Sequence, residues 1–221
     1  MPRHLALTLA LIFTLIGSTA VQAAPLVLRP LAPGLAGEYS NFGPPGETHQ
    51  QVADMFMLTQ AATLHSLTWY GRYDALYSTA DPIDFAVRIF ADSSGSPELS
   101  PSWATSESVY AIPVGEYSPG VPWLQYSVTL PSWSLGAGTY WLSIVEAHAA
   151  TRPYGSTQWL WGDTDARGWR AIRGGDDLAW VSSLDTSHAF TLEGSVPDPG
   201  STLLLFGLGV VGLAARRKRW Q

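Results

Sequence analysis

Between about Gln50 and Gly194, apolar and polar residues repeatedly alternate with a period of two. The clearest case is LQYSVTL, where Leu124, Tyr126, Val128 and Leu130 are separated by the polar Gln125, Ser127 and Thr129. Successive side chains of a strand point to opposite faces, so this pattern predicts a strand with one buried face. DFAVRIF places Phe85, Val87 and Ile89 on one side in the same way. TYWLSIVE sets Tyr140, Leu142 and Ile144 against Trp141, Ser143 and Val145, which predicts a strand covered on both faces. TQWLW and AFTLEG read as shorter strands.

The breaks between these runs are turn chemistry: ADSSGSPE, VGEYSPGVP, SLGAG and RGGDD. No segment of this region has helical periodicity sustained over three turns. The pattern predicts an all-β fold over residues 50–195, an antiparallel β-sandwich of jelly-roll-like type with about eight to ten strands. Residues 24–49 are rich in Pro and Gly and are expected to be a loosely packed N-terminal segment. No internal repeat is present.

The two ends follow different rules. MPRHLALTLALIFTLIGSTAVQAAP has a basic start at Arg3, an apolar run from Leu5 to Ile16, and small residues at Val21 and Ala23. These are the three parts of a secretory signal peptide, residues 1–23, with cleavage expected between Ala23 and Ala24. Such a leader implies export through the Sec machinery. The alternative is a permanent N-terminal anchor, for which an apolar run this short is poorly suited.

Composition then narrows the partners. Only 14% of residues are charged, low for a soluble domain. Five of the 12 bases sit at the two ends, which leaves seven Arg and no Lys in an interior that holds all 18 acids, a net charge of −11. A body this acidic has no basic face for phosphates, so nucleic acid is excluded as a partner. There is no Cys, which removes disulfides, thiol catalysis and thiolate metal sites.

The C-terminus reads VPDPGSTLLLFGLGVVGLAARRKRWQ. Asp198 lies between Pro197 and Pro199, and neither proline can donate a backbone hydrogen bond. The motif at 196–200 is therefore open, unpaired chain that a processing enzyme can enter. Fifteen uncharged residues follow, Ser201 to Ala215. As a transmembrane helix they would be about 22 Å long, against a hydrocarbon core of about 30 Å. Arg216, Arg217, Lys218 and Arg219 then give a strong positive-inside signal, which places the body outside the inner membrane.

Val196-Pro197-Asp198-Pro199, the short apolar span and the terminal basic cluster together resemble the PEP-CTERM protein-sorting signal of Gram-negative bacteria. Its usual core is Val-Pro-Glu-Pro, and Asp198 stands where that core has Glu. The resemblance implies an exosortase, a membrane-embedded cysteine transpeptidase-like enzyme, that cuts near the Pro-acid-Pro motif. It implies a body held transiently at the inner membrane on its periplasmic side, then delivered to the cell surface or extracellular matrix, in systems that accompany exopolysaccharide production. The body segments SLTWYGRY, DFAVRIFADSSGSP, LGAGTYWLSI, WLWG and AFTLEG resemble the uncharacterised β-sandwich ectodomains that often precede such a tail.

Candidate sites in the body are few. G-x-S-x-G, H-E-x-x-H and phosphate-cradling loops are absent. The four His of the exported part, His49, His65, His148 and His188, are scattered without ligand spacing. Asp163 and Asp165 have the alternating spacing of calcium loops, which makes calcium the one metal to consider; Asp81, Asp84, Asp176 and Asp177 are similar turn acids, and Asp is common in turns for its own backbone bonding. Glu146 is the one acid positioned to act in a glycosidase pair, and nothing fixes a second member. Trp159 and Trp161 are two apart and share a strand face, ahead of Trp169 and Trp180. They are candidates for stacking on sugar rings, or bulky filling for a core without disulfides.

The expected function is thus non-enzymatic: an exported structural or adhesive matrix component with a weak glycan-binding face and no cofactor. The alternatives are a secreted polysaccharide-active hydrolase or lyase and a permanently membrane-anchored ectodomain.

Overall fold

The fold was obtained as a computed structural model, which describes residues 24–32, 34–41, 50–73, 82–147 and 158–197. The leader, residues 1–23, and everything from Asp198 onward, including the apolar span and the basic cluster, lie outside the described residues. Among the described residues there is no helix, and hence none long and apolar enough to cross a membrane.

The described residues form thirteen strands in two antiparallel sheets. The first sheet holds β1 (Ala24–Arg29), β2 (Glu38–Tyr39), β4 (Ala62–Tyr73), β7 (Ile112–Ser118), β8 (Val121–Leu135), β10 (Trp159–Trp161) and β13 (Phe190–Ser195). The second holds β3 (Gln51–Leu58), β5 (Ile83–Ala91), β6 (Trp103–Val109), β9 (Gly138–Glu146), β11 (Asp163–Arg173) and β12 (Val181–His188). Its order is β12-β11-β3-β9-β5-β6. In the first sheet β4 carries β8 along one edge, with β7 beyond it. Along the other edge β13 pairs with residues 63–69 and β10 with residues 71–73, flanked by β1 and β2 respectively.

The alternation read from LQYSVTL holds: Leu124, Tyr126, Val128 and Leu130 are buried in the core and Ser127 and Thr129 are exposed. TYWLSIVE is buried continuously from Trp141 to Glu146, as a strand covered on both faces should be. One expectation is corrected. VGEYSPGVP is not all turn; most of it is the edge strand β7, which is exposed along nearly all its length. Within the segment 24–49, expected to be loosely packed, β1 and β2 are paired members of the first sheet.

The strand count exceeds the expected eight to ten partly because long extended runs change sheets. Gly162 separates β10 from β11, and Ala189 separates β12 from β13, so two neighbouring strands cross between the sheets together. The Gly162 amide donates to the Tyr70 carbonyl at 2.8 Å, and the Ala189 amide donates to the Gly162 carbonyl at 2.7 Å. A Cβ at residue 162 would lie 2.8 Å from Leu31 Cδ1 and 2.9 Å from Trp123 Cζ3, so only glycine fits this crossing.

The main core lies between the sheets and is strongly aromatic. Trp69 stacks on Tyr126 with centroids 5.5 Å apart, and Phe85 meets Trp69, Tyr126 and Trp159 edge-on at 5.2, 4.9 and 5.0 Å. Offset and edge-to-face pairs of this kind add to area burial, and the core achieves its density without a disulfide. A smaller cluster, Phe90, Trp141, Trp180, Ala53 and Ala171, covers the outer face of the second sheet. Arg173 lies over Trp180 at 4.3 Å there.

Candidate functional site

Two places in the fold bear on function: the point where the chain leaves the sandwich toward the tail, and a buried polar cluster beside the sheet crossing.

The exit is built from both ends of the domain. Ala24, the expected first residue after leader removal, is paired with Gly194, and Pro25 with Glu193. His65 Nε2 lies 2.9 Å from Ser195 Oγ, and Ser66 Oγ donates to Glu193 Oε2 at 2.7 Å. Val196 follows directly and packs against the main core. Together with Pro25, Leu26, Met57, Leu58 and Ala62 it lines a groove of about 230 Å³. The chain therefore enters its Pro-Asp-Pro segment at once, with no spacer after the last strand. Val196 and Pro197 are described; Asp198, Pro199, Arg216, Arg217, Lys218 and Arg219 are not, and neither is Ala23.

The second place begins with an acid in an apolar strand. Asp54 lies in QVADMFML and its side chain is fully shut from solvent. A buried carboxylate must be paired, and Asp54 is. Arg29 Nη1 donates to Oδ1, while His188 donates to Oδ2 through its backbone amide at 2.6 Å and through Nδ1 at 3.1 Å. Because the carboxylate only accepts, Nδ1 carries the imidazole proton. Arg29 Nη2 also donates to the Met55 carbonyl at 2.5 Å, which locks β1 to β3 across the two sheets. Burial brings the Arg29 pKa down to about 10.

On its other side His188 Nε2 faces Asp163 Oδ1 at 3.7 Å, too far for a hydrogen bond. Asp163 Oδ2 accepts the Gly37 amide at 3.1 Å. Gly37 has φ of +84°, and a Cβ there would lie 2.4 Å from the Trp161 carbonyl oxygen. The Trp161 ring covers the imidazole with centroids 4.7 Å apart. Burial pushes the His188 pKa down to about 4, although Asp163 pulls it up. Burial pushes the Asp163 carboxyl up, against His188, the Gly37 amide and Arg170. Both shifts favour neutral groups, so His188 is neutral near pH 7. The cluster is closed and lies at the seam where the strands change sheets, which suits a fastening of the fold.

The other sequence candidates fall as follows. Trp159 and Trp161 are 0% exposed and belong to the main core, as in the core-filling alternative, so neither ring is open to a sugar. Trp169 is exposed and Trp180 is buried over Arg173. Asp163 faces His188 and is held by Gly37, while Asp165 is exposed, and among the described residues no three His, Asp or Glu side chains are grouped as metal ligands. Asp176 pairs with Arg173 at 2.7 Å and Asp84 accepts from Ser108. Glu146 is fully buried and accepts from the Tyr73 hydroxyl at 3.3 Å. His49, His148 and Asp81 lie outside the described residues.

Asp54 and Arg29 escaped the sequence reading. The available signal was an Asp inside an otherwise apolar run, which in a covered strand requires a cation or several donors.

The last strand of a two-sheet β-rich domain is followed directly in sequence by a Pro-acid-Pro motif. Residues 195–219 match the model of the PEP-CTERM protein-sorting motif, and the chain carries that motif behind its β-rich domain. The motif supports export through exosortase-type sorting, with processing by an exosortase and membrane anchoring by the C-terminus. No curated protein and no solved structure matches the chain.

Proposed function

We propose that the body is a non-enzymatic structural or adhesive component of the extracellular matrix. It is held at the inner membrane with its body in the periplasm until the tail is cut, and is then delivered to the cell surface. The observation that carries this reading is the immediate passage from β13 into the sorting motif at Ser195–Pro197. The filled aromatic sandwich and the inward commitment of Asp54, Asp163, Glu146 and His188 support a body made to persist and to present surface.

The reading is tested by deleting the gene and following the matrix. Loss of matrix cohesion with polysaccharide chain length unchanged is expected. A change in chain length, reversed by adding the purified protein, would overturn it in favour of a hydrolase or lyase.

A further inference from the structure

Arg72 stands apart from the other buried and half-buried arginines among the described residues. Arg29 pairs with Asp54, Arg88 and Arg173 with Asp176, and Arg170 with Glu38 and Asp185. Arg72 is only 8% exposed, yet it pairs with no carboxylate among the described residues. Its one acceptor there is the Tyr73 carbonyl at 3.2 Å, and its Nε is shut from solvent with no partner. A guanidinium taken this far out of water requires a counter-charge or an equivalent. Part of that comes from aromatic faces: its Cζ lies 3.9 Å from the Tyr117 ring centroid and 5.8 Å from that of Trp123.

The location is the outer face of the first sheet. Trp69 and Tyr73 of β4 point into the main core, so Arg72, Tyr70 and Thr68 point outward. The outward direction is confirmed by the Thr68–Ser127 hydroxyl bond of 2.9 Å at the surface. Tyr70 is paired with Gln125, which is paired with the exposed Ile112 of β7. Tyr117 is 39% exposed and forms the outer wall above the guanidinium. Among the described residues, one face thus presents a cation without a carboxylate partner, two tyrosines, an amide and a hydroxyl row in sequence.

Planar rings beside amide and hydroxyl groups fit a sugar ring and its hydroxyls, and a guanidinium paired with no carboxylate among the described residues fits a charge-assisted contact to a carboxylate. We infer that this face binds a polysaccharide bearing uronic-acid carboxylates, with Arg72 taking the carboxylate and Tyr117 and Tyr70 the ring faces. Repulsion from the acidic body is screened beyond about 8 Å at physiological ionic strength, so the local cation governs the contact. This deepens the matrix role proposed above by naming its ligand class. The two fail separately, because binding is measured on the purified chain and the matrix role in cells.

The test is affinity electrophoresis of the full chain in mild detergent, through gels holding polygalacturonate, dextran or dextran sulfate at physiological salt. Retardation by polygalacturonate alone is expected, weakened about tenfold in Arg72→Met and in Tyr117→Ala, as loss of one charge-assisted contact implies. Tyr117→Ala changes an exposed edge-strand position and keeps the test valid where Arg72→Met fails to fold. Equal retardation by dextran sulfate, retardation by dextran, retardation that neither variant alters, or no retardation at all would overturn the assignment.

Discussion

Ala24 and Gly194 are cross-strand neighbours at one pole of the sandwich. The residue expected to follow leader cleavage therefore sits beside the residue that precedes the sorting motif. The two expected processing events, one toward each end of the chain, would act on the same pole. The strand that holds the N-terminus there, β1, is secured by Arg29 through Asp54 and the Met55 carbonyl.

Asp54→Ala is expected to cost about 3–5 kcal/mol of stability, because it leaves Arg29 and the His188 donors buried without their acceptor. Chemical denaturation gives the loss. Limited proteolysis should cut first within Ala24–Arg29, since the same change unfastens β1. A loss below about 1 kcal/mol, the range of an exposed ion pair, would show that the cluster does not fasten the sheets.

The cluster also sets a pH dependence. Burial lowers the folded pKa of His188 to about 4, against an ordinary imidazole value of 6.5. The unfolded chain therefore binds the extra proton first, and stability falls as pH drops from about 6.5 to about 4. One proton sets the slope at no more than about 1.4 kcal/mol per pH unit. Asp163, raised by burial, acts in the opposite sense and makes the observed slope shallower. Melting temperature measured from pH 7 to pH 4 should show this decline, and His188→Gln should remove most of its contribution, though that variant starts from a lower baseline.

Trp159→Ala should destabilise the body by about 3–5 kcal/mol, the usual cost of removing a large aromatic from a core. The ring is fully buried and packs edge-on against Phe85. A variant that melts like the parent and loses only sugar binding would contradict its core placement.

Much of the fold was legible because β structure with a covered face writes itself as alternation. Leu124 to Leu130 is the example, and the same rule placed the inward residues of β5 and β9. What was not legible came from tertiary context. Trp159 and Trp161 alternate in the same way whether their shared face is core or surface, so spacing alone could not choose. β7 has a Pro and a Gly inside it and is largely exposed, so its sequence looks like a turn while pairing with β8 fixes it as a strand. Arg72 has no sequence signature at all; its lack of a carboxylate among the described residues emerges only beside the buried Arg173 and the half-buried Arg29, Arg88 and Arg170, which have one.

Asp198 lies outside the described residues, and its role rests on the motif. Asp198→Ala is expected to abolish tail processing while leaving export intact, seen as accumulation of a membrane-bound, full-length-tail form by immunoblot. Processing at the normal rate would mean that the acid between the two prolines is not read.

The most direct measurement is the intact mass of the protein recovered from native cells. The expected species begins at Ala24 and ends near Pro197–Gly200, free of the apolar span and of RRKRWQ. A mass that retains RRKRWQ would contradict release by processing and make the tail a permanent anchor.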